Sequence, residues 1–194
     1  MMRAPSLFSS PIAAGAAAGL LAILAHGAAR AVDCVEPTAD PTNLYDAQHT
    51  YDKLASKYPS IRIASAAVPG DVTLVADQVY AQYDTRCLKL DMYLPATANG
   101  KQDVPVVVCV HGGGWRSGFR SEFAPMALRM ARNGYAGVTV SYRLAGEALY
   151  PAAVQDVRAA VRWVRENAGK YGLDPQRIAL AGGSAGGQIA ALAG

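Results

Sequence analysis

Apolar residues recur along this chain in two rhythms, and the rhythm changes several times after residue 76. Asp77 to Asp84 and Cys87 to Leu94 are alternating, β-branched or aromatic runs on either side of Thr85-Arg86, which predicts an antiparallel hairpin. Pro95 to Asp103 is a polar loop. Val104 to Val110 is a near-continuous apolar run, the signature of a parallel strand covered on both faces. Ser121 to Arg132 reads as a helix stopped by Asn133-Gly134. Ala136 to Tyr142 is a second buried strand. Between Pro151 and Lys170, Val154, Val157, Val161 and Val164 fall at three- and four-residue spacing, one face of a helix with Pro151 in its first turn. Gly172 and Pro175 separate it from a third short strand, Arg177 to Ala181, after which a helix opens at Ser184 and continues through Gln188 to Leu192. Strand, helix, strand, helix, strand is the repeat of an α/β parallel sheet with right-handed crossovers.

Upstream, Pro41 to Tyr58 reads as a helix with Leu44, Tyr51, Leu54 and Tyr58 on one side, ended by Pro59. The expected organisation is a leader over residues 1–31, a lead-in segment over 32–76 and a partial α/β domain over 77–194. No repeat of solenoid period is present.

Two turns in this pattern carry chemistry. The third strand runs into Gly182-Gly183-Ser184-Ala185-Gly186, a Gly-x-Ser-x-Gly turn that holds a nucleophilic serine between a strand and a helix. Side chains at Gly182 or Gly186 would clash with so tight a reversal. The helix behind Ser184 aims its free N–H groups and the positive end of its dipole at the reacting centre. The first parallel strand runs into His111-Gly112-Gly113-Gly114-Trp115, where glycines let backbone N–H groups approach a developing oxyanion. One such donor contributes about 3–4 kcal/mol to a transition state. A glycine-rich turn that happens to contain serine, and a flexible glycine linker, are the inert readings of the two segments. A linker does not normally follow a buried strand directly.

These motifs, with Ser141-Tyr142-Arg143-Leu144, Gly146-Glu147, Tyr150 to Val157 and Asn167 to Pro175, give the chain a resemblance. It resembles the α/β-hydrolase superfamily in its esterase/lipase branch, and more narrowly the bifunctional feruloyl and acetyl-xylan esterase-like (BD-FAE-like) group. The resemblance covers roughly Val79 to Gly194, and more loosely from Tyr51. It implies an α/β-hydrolase fold, of which this chain is the N-terminal portion with C-terminal strands missing. It implies Ser184 as catalytic nucleophile, Gly112, Gly113, Gly114 and Ala185 as the oxyanion hole, and His111, Gly182 and Gly186 as residues that shape the motifs. It implies no metal and no organic cofactor. Hormone-sensitive-lipase relatives usually carry Asp where this chain has Gly183, which favours the feruloyl/acetyl esterase side.

In this fold the triad runs Ser, then Asp or Glu, then His, and no Asp, Glu or His follows Ser184. The expectation is a fragment or truncated product with little triad-driven turnover of its own. His111 has two readings, organiser of the oxyanion loop by resemblance or catalytic base, since triads occur in several chain orders. Glu147 and Asp156 precede the nucleophile and read as structural, Glu147 as a shaper of the loop near the site. Trp115, Phe119 and Tyr142 are candidates either for the substrate pocket or for the core.

The first residues are of another kind. Arg3 precedes an apolar stretch from Ile12 to Leu24, and Ala29-Arg30-Ala31 fits a small-residue cleavage site, so a secretory signal is expected; an uncleaved anchor is the alternative. Cleavage after Ala31 removes two arginines and brings a formal charge of +3 closer to neutral. Such a chain offers no electrostatic reason for nucleic-acid binding. The expected location is secreted or periplasmic, without membrane attachment once the signal is cleaved. Of the three cysteines, Cys109 lies in a core strand and reads as a small buried hydrophobe. Cys34 and Cys87 either pair in an oxidising compartment or stay free. No Cys/His spacing suggests zinc.

The expected substrate is a small acyl ester or an ester linked to polysaccharide, cleaved through an acyl-enzyme. A related amidase or peptidase and a non-catalytic remnant are the competing readings, because acyl-transfer apparatus does not by itself fix the leaving group.

Overall fold

The structure, a computed structural model, describes residues 34–36, 46–98 and 103–194. The expected signal, the first residues of the upstream helix and part of the polar loop lie outside the described residues.

The order of elements is α1 (Ala47–Leu54), β1 (Val72–Tyr83), β2 (Arg86–Pro95), β3 (Val104–Val110), α2 (Ala124–Arg132), β4 (Ala136–Val140), α3 (Ala152–Tyr171), β5 (Leu173–Gly182) and α4 (Ala185–Ala193). The strands form one five-stranded sheet in the order β1-β2-β4-β3-β5. β1 and β2 are the predicted hairpin, and β2 pairs antiparallel with β4. β4, β3 and β5 run parallel. The crossovers are α2 between β3 and β4, and α3 between β4 and β5. This partial, mixed sheet with flanking helices carries the parallel crossovers that the pattern predicted and the α/β-hydrolase architecture that the resemblance implied.

The apolar run of β3 shows why a parallel strand loses alternation. Val106, Val108 and Val110 join the core formed with Val157 and Val164 of α3 and Ile189 of α4. Val107 and Cys109 face the other way, into the cluster of Ala127, Leu128 and Ala131 of α2. Both faces are covered, so both sets of positions are apolar. Burial pushes the Cys109 thiol up to about 12, which keeps it a neutral, small hydrophobe.

Five boundaries differ from the sequence reading. α1 ends at Leu54, short of Tyr58, and β4 at Val140, short of Tyr142. β1 opens at Val72, ahead of the expected start at 77, because the ladder slips between Val75 and Gln78 and the pattern is interrupted there. Asp77 occupies the slip with a φ of 57°. The helix expected from Ser121 begins as a tight 3₁₀ turn, Arg120–Phe123, and becomes α-helical at Ala124. β5 starts at Leu173, earlier than Arg177, because Leu173 pairs with Val104 before a register shift carries the ladder on to Ile178. Among the described residues, no helix is long and apolar enough to cross a membrane.

Cys34 and Cys87 form a disulfide with a Cα–Cα distance of 5.4 Å, which settles the pairing the sequence left open. It carries Val35 into a bridge with Arg86 and Glu36 toward Arg120. Arg120 is 6% exposed, and its guanidinium also donates to Asp91 at 2.8 Å and Asp77 at 2.6 Å. A buried arginine surrounded by three carboxylates is fully paired, the condition under which such a charge is tolerated inside.

Candidate active site

β3 and β5 are adjacent and parallel, with Val110 opposite Gly182. Their carboxyl ends therefore deliver both glycine-rich turns to the same end of the sheet, where ligands bind in open α/β sheets.

The β5 turn is built by steric need. Ser184 has φ 52° and ψ −123°, a conformation that a residue with a Cβ rarely adopts, and it sits at the amino end of α4 with an exposed side chain. Strain of about 1–3 kcal/mol is typical of such positions at functional sites. The turn closes through Gly183 N donating to Val110 O and Gly186 N donating to Gly183 O at 2.9 Å. A Cβ on Gly186 would run into the carbonyls of Val110 and His111, and one on Gly182 into the carbonyl of Gly186. The two glycines let the serine turn press directly against the start of the other loop.

The β3 turn is built by side chains and by carbonyls turned inward. Gly113 (φ 107°), Gly114 (φ 60°) and Trp115 (φ 62°) are successive left-handed residues. The Gly113 carbonyl accepts from Arg116 N, Ser117 N and Ser117 Oγ, the last at 2.9 Å. Among the described residues, no protein acceptor takes the N–H of Gly113, Gly114 or Ala185. Consecutive backbone donors in left-handed turns and at a helix start form an anion-binding concavity.

His111 lies under this loop and is 1% exposed. Its Nδ1 donates to Gly112 O at 2.8 Å, and its ring stacks on Tyr142 with centroids 4.3 Å apart and planes 13° from parallel. Burial lowers its pKa to about 4, the Gly112 bond opposing in part. A neutral, stacked ring bonded to its own loop is an organiser, and the base reading of His111 is not supported by this geometry. His49, on α1, is occupied with Asp46 at 2.6 Å.

Tyr142 takes the core reading of its two: it is 1% exposed, and its hydroxyl donates to His111 O at 2.9 Å. Trp115 is 46% exposed, and its Nε1 donates to Gln188 Oε1 at 3.0 Å, tying the first turn to the opening of α4. Phe119 is half-buried and stacks under the Arg120 guanidinium. Glu147 does shape the neighbouring loop, accepting from Leu144 N at 2.8 Å and pairing with Arg86. Asp156 is fully buried and holds Arg143 at 2.7 Å and the Tyr83 hydroxyl at 2.9 Å, a structural role. Sequence reasoning missed Gln188 and Arg120; neither belongs to a local pattern, and each acts through a partner far along the chain.

The fold and the paired turns are those of the α/β-hydrolase superfamily. Residues 90–194 match the BD-FAE family, and the chain belongs to it. It is 50% identical over 93 residues to carboxylesterase NlhH of Mycobacterium tuberculosis, which covers 47% of this chain and 29% of that protein. An esterase from Thermogutta terrifontis, Est2, solved with propionate bound, superposes with a TM-score of 0.57 and 35% identity, covering 63% of this chain and 44% of that one. The same enzyme phosphonylated by cyclosarin superposes with a TM-score of 0.57 at 35% identity, covering 64% and 47%. The chain thus spans less than half the length of these relatives.

Proposed function

We propose that this chain carries the nucleophile and the oxyanion hole of a serine carboxylic-ester hydrolase. The observation that carries the reading is the meeting of the two turns: a strained, exposed Ser184 at a helix start, and unbonded N–H groups on the β3 loop, locked together by Trp115 and Gln188. Ser184 Oγ attacks the ester carbonyl carbon while a histidine takes its proton. The carbonyl oxygen becomes an oxyanion, held by the N–H groups of Gly112, Gly113, Gly114 and Ala185. The carbon–oxygen bond to the alcohol then breaks, the alcohol leaves with the histidine's proton, and water releases the acid from the acyl-enzyme. The reading requires a histidine and an orienting carboxylate other than His49, His111, Glu147 and Asp156, all of which are engaged elsewhere.

The named esterase relatives support ester rather than amide substrates, and the propionate-bound relative supports small acyl groups. Acetyl and feruloyl esters of polysaccharide are the finer assignment, by family. We place the protein outside the cytoplasm after removal of residues 1–31; the Cys34–Cys87 disulfide supports an oxidising compartment. Amino-terminal sequencing of material exported by the native host tests this, with Val32 expected as the first residue and Met1 on a membrane-bound product as the contrary result. For the activity, Ser184→Ala in the full-length parent protein is expected to lower kcat on p-nitrophenyl acetate by roughly 10⁴-fold or more. Unchanged turnover would remove Ser184 from the mechanism.

A further inference from the structure

Beside Phe123 lies an open cleft that the acyl-transfer chemistry does not use. It has a volume of about 510 Å³ and is lined by α1, the Ile61–Ala64 stretch and the Glu122–Phe123 turn. Its size falls within the range of small-molecule sites. Tyr51, Leu54, Ile61, Ile63 and Phe123 give it apolar walls, and Glu122 is a half-buried carboxyl among them.

Phe123 connects this cavity to the nucleophile. Its Cζ lies 3.0 Å from where a Cβ on Gly183 would stand, and Gly183 immediately precedes Ser184. Gly183 does not have the left-handed φ of Gly113 or Gly114, so its backbone does not require glycine. A side chain there would press on the ring, which would have to give by a few tenths of an ångström. Phe123 thus both lines the cleft and abuts the residue before Ser184.

The polar groups around it sort by their partners. Asp46 accepts from His49, and Arg62 donates to the carbonyls of Pro59 and Ile61. Both are committed to holding the wall. Glu122 is pushed up to about 7, by burial first and by the charge of Asp46, so it costs little to keep it neutral or to meet it with a donor.

We propose that this cavity is a specificity subsite of the Ser184 centre, taking an extended apolar moiety of the ester that presents a hydrogen-bond donor to Glu122, with Phe123 as the wall that shapes its entrance. The proposal rests on Ser184 being the nucleophile. The moiety belongs to the acyl or to the alcohol side of the ester, and the two share this chemistry.

The test uses the full-length parent protein and two substrate pairs. p-Nitrophenyl octanoate against p-nitrophenyl acetate reads the acyl side; octyl acetate against ethyl acetate reads the alcohol side. Leu54→Trp and Ile63→Trp fill the cavity from two different walls, and Gly183→Asp pushes the Phe123 ring into it. In at least two of these variants the long-to-short ratio of kcat/KM is expected to fall at least tenfold in one series, and that series identifies the side. In the series so identified, Glu122→Leu is expected to remove, by at least fivefold, a preference for the ω-hydroxy substrate: p-nitrophenyl 8-hydroxyoctanoate over p-nitrophenyl octanoate on the acyl side, or 8-hydroxyoctyl acetate over octyl acetate on the alcohol side. Ratios unchanged within twofold in both series, in variants with wild-type circular dichroism, overturn the proposal. Ser184→Ala is run beside them: if it keeps turnover, the nucleophile assignment has failed, whereas if it is inactive and the ratios stay flat, the subsite alone has failed.

Discussion

The two glycine-rich turns at the end of the sheet do opposite jobs by opposite means. The serine turn after β5 is defined by what it excludes: Gly182 and Gly186 have no Cβ because backbone carbonyls occupy the space. The turn after β3, the proposed oxyanion turn, is defined by what supports it: the Tyr142 hydroxyl, the His111 ring and the Trp115 indole each hold a specific atom. The first must strain one residue into position, and packing against neighbouring backbone does that. The second must hold several N–H groups open, and that needs side chains which consume the loop's carbonyls and leave its donors. The first turn should therefore break when atoms are added, and the second when atoms are removed.

The largest effect is expected on the first turn. Gly186→Val drives a branched side chain into the Val110 and His111 carbonyls and should cost about 3–4 kcal/mol of stability, read as a lower urea midpoint. A midpoint within error of wild type would mean that the turn yields.

Acid comes next, and acts on the second turn. The folded pKa of His111 is lowered to about 4 from 6.5, so the unfolded chain binds the proton first. Its contribution is fully present above about pH 6.5 and is lost as the pH falls through 6.5 toward 4. The loss is on the order of 3 kcal/mol. Urea titrations at pH 7.5, 5.5 and 4.5 measure it, and His111→Asn, which can still donate to Gly112 O, should flatten that part of the profile.

Tyr142→Phe removes the donor to His111 O while keeping the stacked ring. It should cost about 1–1.5 kcal/mol of stability and lower kcat more than it raises KM, since the loop it supports acts on the oxyanion. Trp115→Phe, which loses the Gln188 bond at a half-exposed position, should be smallest, about 0.5–1 kcal/mol. A larger effect for Trp115→Phe than for Tyr142→Phe would reverse the ranking of supports from below over ties across the top.

How much of this could be read in advance follows the same division. The serine turn was legible because its constraint is local: glycine on either side of serine, an apolar strand before and a helix after. β3 and α3 were legible because burial on two faces, or on one helical face, repeats every few residues. Of the supports of the proposed oxyanion turn, His111 was legible through the resemblance, and the others were not. Tyr142 reads equally as core or pocket until its hydroxyl is seen on the His111 carbonyl, and Gln188 is one polar residue on a short helix. Arg120 follows a glycine-rich loop like any surface arginine, and only the distant strand positions Asp77 and Asp91, with Glu36 brought in by the disulfide, explain its burial. The start of β1 was misplaced for a related reason, since the slip at Asp77 interrupts the alternation that marks a strand.

The central claim is that Ser184, strained at the start of α4, is the group that takes the acyl chain. A fluorophosphonate probe reacted with the full-length parent protein and mapped by peptide mass spectrometry tests it most directly. The account expects a single adduct on Ser184 that disappears in Ser184→Ala and forms at least tenfold more slowly in Tyr142→Phe. An adduct on another serine, or labelling that persists in Ser184→Ala, would contradict it.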